Sequence, residues 1–462
     1  MENKNQSLMK GMIIYAIGNF GTKILSFLIV PLYTFYISTE DMGTYDLLMS
    51  TVNLLTPIIT LQIADAAYSF MIRDRLENRL CIASTIQLLL FNSLIATAVI
   101  GVVNFFAPIS FFWEFIWLVA TTNVLTVVQR MLRGLKKQKL FALSGVIYTA
   151  VFLALNVLQI CVLKQGVRSL LTSAIFANVV TLVAIYLLEK QLWVNPFRKP
   201  DMQATGQMLK FSVPLIPNQL SWWVINSSNR YIINAFLDRS ANGIFAISYK
   251  FPTILQMILT LFNTSWQDVV VADNEDSGAF YTGVFRTLYT LSFTMLIPMI
   301  PATKLVIIWF MEQSYADAAN YVAFLYLGTV FQSFASFYGV GYLRGKDTKR
   351  ASTTSIYGAL VNVAVHFVLI RFIGLQAAAV STFLGFLVMW LIREKHNRKE
   401  LGIRVEWGRF LGFFLPVLAL CVVVSYTGVL VDCVLTVIGC GLFLVLNRKM
   451  LLDLLGKVLK RK

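Results

Sequence analysis

The chain alternates long apolar runs with short polar turns along its whole length. The runs fall at about residues 12–37, 44–70, 81–107, 111–129, 141–163, 169–188, 211–237, 244–270, 281–309, 321–343, 351–370, 374–392, 410–427 and 429–446. Each reaches or approaches the ~20 residues that a helix needs to cross a bilayer. The runs do not alternate with period two, so the strands of a membrane barrel do not fit them. Backbone N–H and C=O groups find no water in hydrocarbon, and helices satisfy them internally. The pattern predicts an all-α integral membrane protein of about fourteen transmembrane helices.

The pattern also repeats. The stretch Lys10–Thr60 reads as a helical hairpin closed by the turn Ser38-Thr39-Glu40-Asp41-Met42-Gly43. Two hundred positions later Lys210 answers Lys10, Gly243 answers Gly43, and Leu237–Phe245 tracks Ile37–Tyr45. Later in each half, Leu132-Arg133-Gly134 answers Leu343-Arg344-Gly345. The expectation is two six-helix lobes, 1–190 and 211–395, joined by a cytoplasmic linker at 191–210 that contains Pro196 and Pro200. An even number of spans per lobe gives both the same orientation, so a pseudo-twofold axis would run along the membrane normal. Residues 396–462 then supply two final spans and a basic tail outside the repeat.

Composition fixes the class and narrows the chemistry. Of the 462 residues, 57% are hydrophobic and 13% charged, with a mean hydropathy of +0.70. Soluble domains carry roughly 25% charged residues. The five cysteines sit in apolar runs without paired spacing, and there are only two histidines. Neither disulfides nor a metal site is therefore expected. The stretch Gly341-Tyr342-Leu343-Arg344-Gly345-Lys346-Asp347 misses the phosphate-cradling pattern by one residue and lacks the following Ser or Thr. The acidic cluster Asp273-Asn274-Glu275-Asp276 lies in a short turn, and no loop is large enough for a catalytic domain. These features exclude a nucleotide-driven pump and disfavour a membrane-bound polymerase. Duplicated lobes without a catalytic domain suit a secondary transporter.

The net charge of +16 belongs to topology rather than to nucleic acid. With the N-terminus in the cytoplasm, 31 Lys and Arg residues fall on the inner side and five on the outer side, Lys304 among the latter. Positive residues favour cytoplasmic loops, so both termini are expected in the cytoplasm.

The opening hairpin with its turn Thr39–Tyr45, the stretch Phe211-Ser212-Val213-Pro214-Leu215-Ile216-Pro217, and the loop Leu343–Asp347 together resemble bacterial Wzx-type polysaccharide flippases. These belong to the multidrug/oligosaccharidyl-lipid/polysaccharide (MOP) exporter superfamily. The resemblance covers essentially the whole chain. It implies a non-enzymatic transporter of the bacterial plasma membrane. Such a protein moves undecaprenyl-diphosphate-linked oligosaccharide units to the outer leaflet by alternating access around a cationic cavity. A drug exporter or a peptidoglycan-precursor flippase of the same superfamily is the nearest alternative, and a membrane scaffold for a polysaccharide polymerase the next. Membrane lipids, a polymerase and chain-length machinery are the implied partners, with H+ or Na+ as the coupling ion and no organic cofactor.

Charges within spans default to a functional reading. Lys23 lies near mid-span, and Arg230 and Lys250 lie within spans seven and eight. At ~1.5 Å per residue, the latter two sit roughly 10 Å below the outer surface. Asp65 and Asp268 read as the only in-span acids; they lie near inner ends and are the candidates for ion coupling. The three cations are candidates to hold a diphosphate, Arg through a bidentate fork and Lys through a point charge. Snorkelling or a hidden ion pair is the competing reading. Asn19, Asn226 and Asn229 are candidate sugar contacts, against interhelical hydrogen bonding as the plainer role. Asn234 belongs to the same group.

Overall fold

The computed structural model describes residues 27, 29–72, 76–195, 199–272, 278–344, 347–398, 401–448 and 452. All secondary structure among the described residues is helical. Among the described residues, eleven helices are long and apolar enough to span a membrane, or twelve when a bent pair counts as one. The chain is a multi-pass membrane protein. Two of the expected fourteen spans are not among these twelve. The run 12–37 lies mostly outside the described residues, and the run 211–237 is broken into short pieces.

Residues up to Trp223 form one compact unit and those from Val224 onward another. The first begins with α1 (Val30–Tyr36) and α2 (Thr39–Ile59). Ser38 caps α2, its hydroxyl accepting the Asp41 N–H at 3.1 Å. Glu40 and Asp41 in the first turn complement the positive end of the helix dipole. Pro57 weakens the far end of α2, and Leu61 and Gln62 both take positive φ, at 47° and 55°. The chain turns by 56° there and resumes as α3 (Ile63–Ile72). Non-glycine residues reach this left-handed region at a cost of about 1–2 kcal/mol each.

Four helices follow: α4 (Asn78–Phe106), α5 (Phe112–Gly134), α6 (Gln138–Val157) and α7 (Val167–Leu188). Helices in lipid gain little from the hydrophobic effect against one another, so close packing and hydrogen bonds hold them. Asn178 of α7 donates to Thr121 and Thr122 of α5, each at 3.1 Å. Gln129 of α5 donates to Ser144 of α6 at 3.1 Å. A Cβ on Gly134 would lie 2.7 Å from the Met71 sulfur, which lets α5 approach α3 closely.

The expected linker contains a helix of its own, α8 (Met202–Ser212). Asp201 caps it through the Ala204 N–H at 2.8 Å. Ala204, Met208 and Ser212 are buried. Their four-residue spacing places one stripe against the unit, where Met208 joins a core with Ile63, Phe70 and Ile82.

The second unit holds α11 (Arg239–Ala272), α12 (Gly278–Phe310), α13 (Ala318–Arg344), α14 (Thr348–Ile373), α15 (Gln376–Asn397), α16 (Trp407–Val423) and α17 (Val429–Leu446). Helix α13 is central, with 78% of its span buried against 11% for α17. Small residues bring its neighbours together. A Cβ on Gly358 of α14 would lie 3.0 Å from the Gly385 carbonyl of α15. Ala377, Ala378 and Ala379 of α15 are all fully buried. Rings of Phe285, Phe293, Phe331, Phe334, Trp390 and Phe410 interlock beside them.

The structure corrects the reading of three charged residues. Lys304, counted as an outer-loop cation, is buried in α12. Asp432, overlooked among the in-span acids, is fully buried in α17 and pairs with it at 3.0 Å. The Lys304 ammonium also donates to the carbonyls of Val424 at 2.7 Å and Thr427 at 2.6 Å. One side chain thus fastens the turn between α16 and α17 to α12. Arg393, counted with the basic cytoplasmic run, is likewise buried. It donates to Ala335 O, Ala351 O, Thr354 and Ser355, tying α13, α14 and α15 together.

Candidate substrate and coupling site

The seventh apolar run is where the candidate residues gather. Pro214 sits in a tight turn at Val213–Leu215, and Pro217 opens α9 (Ile216–Ser227). Ser228 separates α9 from α10 (Asn229–Phe236). Proline lacks an N–H and disturbs the preceding turn, which accounts for the first break. At the second, the Ser228 hydroxyl donates to the Val224 carbonyl at 2.6 Å. The boundary between the two units also falls within α9. Trp223 donates its indole N–H to the Ser50 carbonyl at 3.0 Å within the first unit.

Arg230 lies on the first turn of α10 and is 5% exposed. Its guanidinium donates to the Asn226 carbonyl one turn back. It also lies over the rings of Tyr249, at 4.6 Å from the centroid, and Phe245, at 5.4 Å, both on α11. A desolvated cation over a ring gains on the order of 2 kcal/mol, so these partners both stabilise and orient the head group. Asn226 is half-buried, and its Oδ1 accepts the Tyr249 hydroxyl at 3.0 Å. Lys250 follows Tyr249 on α11 and is half-buried. Arg230, Asn226 and Tyr249 therefore meet where α10 packs on α11, and Lys250 is the next residue along α11.

Asn229 faces the other way. It is fully buried, and its amide donates to Thr382 Oγ1 at 2.7 Å and to the Ala378 carbonyl at 3.2 Å. Its Oδ1 meets Nδ1 of His366 on α14 at 2.8 Å. In this arrangement it joins three helices. His366 is fully buried within that network.

The remaining candidates lie elsewhere. Asp65 on α3 pairs with Arg130 on α5 at 3.4 Å, both side chains being partly exposed. Lys23 and Asn19 lie outside the described residues, as does the Asp268 side chain. Reading the sequence residue by residue missed the connection between Asn229 and His366. The signal available was a polar residue in each of spans seven, eleven and twelve.

A family model described as "Polysaccharide biosynthesis protein" matches residues 8–266, more than half of the chain. This chain belongs to the polysaccharide biosynthesis protein family. Solved structures of MOP-superfamily transporters share its fold. The lipid II flippase MurJ in an inward closed conformation is 14% identical with a TM-score of 0.70, covering 96% of this chain and 100% of that one. An inward-facing multidrug resistance MATE family transporter is 13% identical with a TM-score of 0.62, covering 82% and 94%. A MOP superfamily transporter from Pyrococcus furiosus, described as having a binding pocket of reversed polarity, is 14% identical with a TM-score of 0.56, covering 84% and 94%. No curated protein sequence matches. The expected family and all-helical membrane fold are thereby established for this polysaccharide biosynthesis protein.

Proposed function

We propose that this protein flips undecaprenyl-diphosphate-linked oligosaccharides from the cytoplasmic to the outer leaflet of the bacterial plasma membrane, for surface polysaccharide synthesis. The observation that carries this reading is Arg230, a guanidinium buried in a membrane span beside a helix break and held in place by Asn226, Tyr249 and Phe245. A diphosphate is the part of such a substrate that hydrocarbon excludes most strongly, because an isolated charge costs several kcal/mol or more to desolvate. A planar, permanently charged fork suits its oxygens. Lys250 lies on the same hairpin, and Lys23 is assigned to the same anion. Asn226 is the better placed of the asparagines for a sugar hydroxyl, with Asn19 and Asn229 as further contacts. The repeat-related lobes would rock about this site with both termini in the cytoplasm. The family description, polysaccharide biosynthesis, supports the substrate class.

A second reading takes a peptidoglycan precursor as cargo. Coverage of the whole lipid II flippase MurJ at a TM-score of 0.70 favours it. Both substrates carry a diphosphate, so Arg230 has the same task in each.

The test is export of surface polysaccharide by cells whose own copy is deleted. The unchanged protein should restore it, Arg230→Gln at equal membrane abundance should not, and Arg230→Lys should restore part. Normal export by Arg230→Gln would refute the assignment. Rescue of cells depleted of their lipid II flippase, with no effect on polysaccharide, would establish the second reading instead.

A further inference from the structure

His366 is a titratable group buried at the meeting point of α10, α14 and α15, and its protonation pattern follows from its neighbours. The Ala378 carbonyl can only accept hydrogen bonds. It receives one from the Thr382 hydroxyl at 2.8 Å and another from the Asn229 amide at 3.2 Å. With its proton committed there, Thr382 Oγ1 offers a lone pair, which accepts the second Asn229 N–H at 2.7 Å. The Asn229 amide nitrogen is thus fixed toward α15, and its Oδ1 toward His366. Facing an oxygen at 2.8 Å, His366 Nδ1 must carry the proton. In the neutral ring the other nitrogen, Nε2, is then a bare acceptor. Nε2 is buried and meets no hydrogen-bond partner among the described residues.

We propose that His366 Nε2 is a proton-binding site whose occupancy is linked to anion binding at Arg230, an inference that rests on the transport function proposed above. Proton binding adds one N–H and one positive charge, turning the imidazole into an imidazolium without disturbing the bond to Asn229. On the helices that meet at His366, the charged residues within two turns of this junction are Arg230 on α10 and Arg371 on α14. Helix α15 contributes no charged side chain before Arg393. Neither of these neighbours is a carboxylate that would take the proton first. Asn229 immediately precedes Arg230, so the proton site and the anion site share the two-turn helix α10. A second positive charge there is favourable when an anion occupies Arg230 and costly when it does not. Proton and anion therefore raise each other's affinity, and the coupling is reciprocal.

The chain has only two histidines, which makes the test direct. In His396→Gln protein labelled with nitrogen-15 histidine, the single ring resonance set should report the Nδ1–H tautomer with Nε2 unprotonated. The opposite tautomer overturns the proposal, and this measurement needs no change at His366. The second arm uses proteoliposomes with undecaprenyl diphosphate as the probe and an internal pH dye. His366→Asn keeps an amide donor where Nδ1–H stood and removes Nε2. Wild-type protein should take up protons as the probe binds, and His366→Asn should bind the probe with proton uptake at least tenfold lower. Equal uptake in the variant removes His366 from coupling and leaves the transport function standing. Failure of wild-type protein to bind the probe overturns the substrate reading, and this inference with it.

Discussion

Two buried cations in the second unit have opposite surroundings. Lys304 is met by the carboxylate of Asp432 and by two backbone carbonyls contributed from more than a hundred residues away. Arg230 is met by a carbonyl one turn back on its own segment and by two aromatic faces. A lysine sealed by a carboxylate and carbonyls is a structural fastener. Removing one partner of such a pair strands the other charge, at a cost of ~3–5 kcal/mol. Ring faces and a carbonyl orient a guanidinium, and they are among the partners of Arg230. Burial alone therefore does not identify a working cation; the chemistry and origin of its partners do.

The largest expected effect is on the fastener. Lys304→Met should lower stability by about 3–5 kcal/mol, because Asp432 remains buried without its ammonium. The double variant Lys304→Met with Asp432→Leu should recover most of that loss in thermal unfolding. A single variant as stable as the parent would end the distinction drawn here.

Arg230 should behave in the opposite way. Arg230→Gln is expected to reduce polysaccharide export at least tenfold, about 1.4 kcal/mol or more in transport free energy, while the melting temperature shifts little. A large stability loss with rescue by removal of a nearby acid would reveal a second fastener.

Smaller effects sharpen the same contrast. On α17, a Cβ at Gly439 would lie 2.8 Å from the Pro298 nitrogen of α12, whereas Gly441 faces open space. Gly439→Ala should cost ~1–3 kcal/mol through overpacking. Gly441→Ala should be neutral or slightly stabilising, and equal effects at the two sites would contradict the described contact. The Asp65–Arg130 pair is partly exposed and screened. Asp65→Asn should change stability by less than ~1 kcal/mol. Gradient dependence measured in the same variant decides whether this acid carries an ion.

The membrane spans were legible in the sequence because each is a continuous apolar run long enough to cross hydrocarbon. Candidate residues within those runs were legible for the same reason: a charge such as Arg230 stands out against its surroundings. Partnership was not legible. Lys304 and Asp432 lie near the ends of separate runs, where a charge ordinarily reaches water, so loop counting placed the lysine outside. Nothing in one helix's periodicity says which residue of another will face it. Asn229 looked the same as Asn226 in sequence. Yet one turn of helix separates a residue locked among three helices from one beside the guanidinium. The break at Ser228 was hidden too, since it carries neither glycine nor proline and rests on a hydroxyl bonded to its own backbone.

The contact between Gly439 and Pro298 acts as a keyway for α17. Successive residues of a helix are separated by about 100° of rotation. Turning α17 by one residue in either direction would drive Ile438 or Cys440 into the proline backbone. Sliding it along α12 would pull Asp432 away from Lys304 and Asn447 away from Thr294, which it reaches at 2.9 Å. Helix α17 thus has a single permitted phase against α12, and the two move as one piece whenever α12 moves.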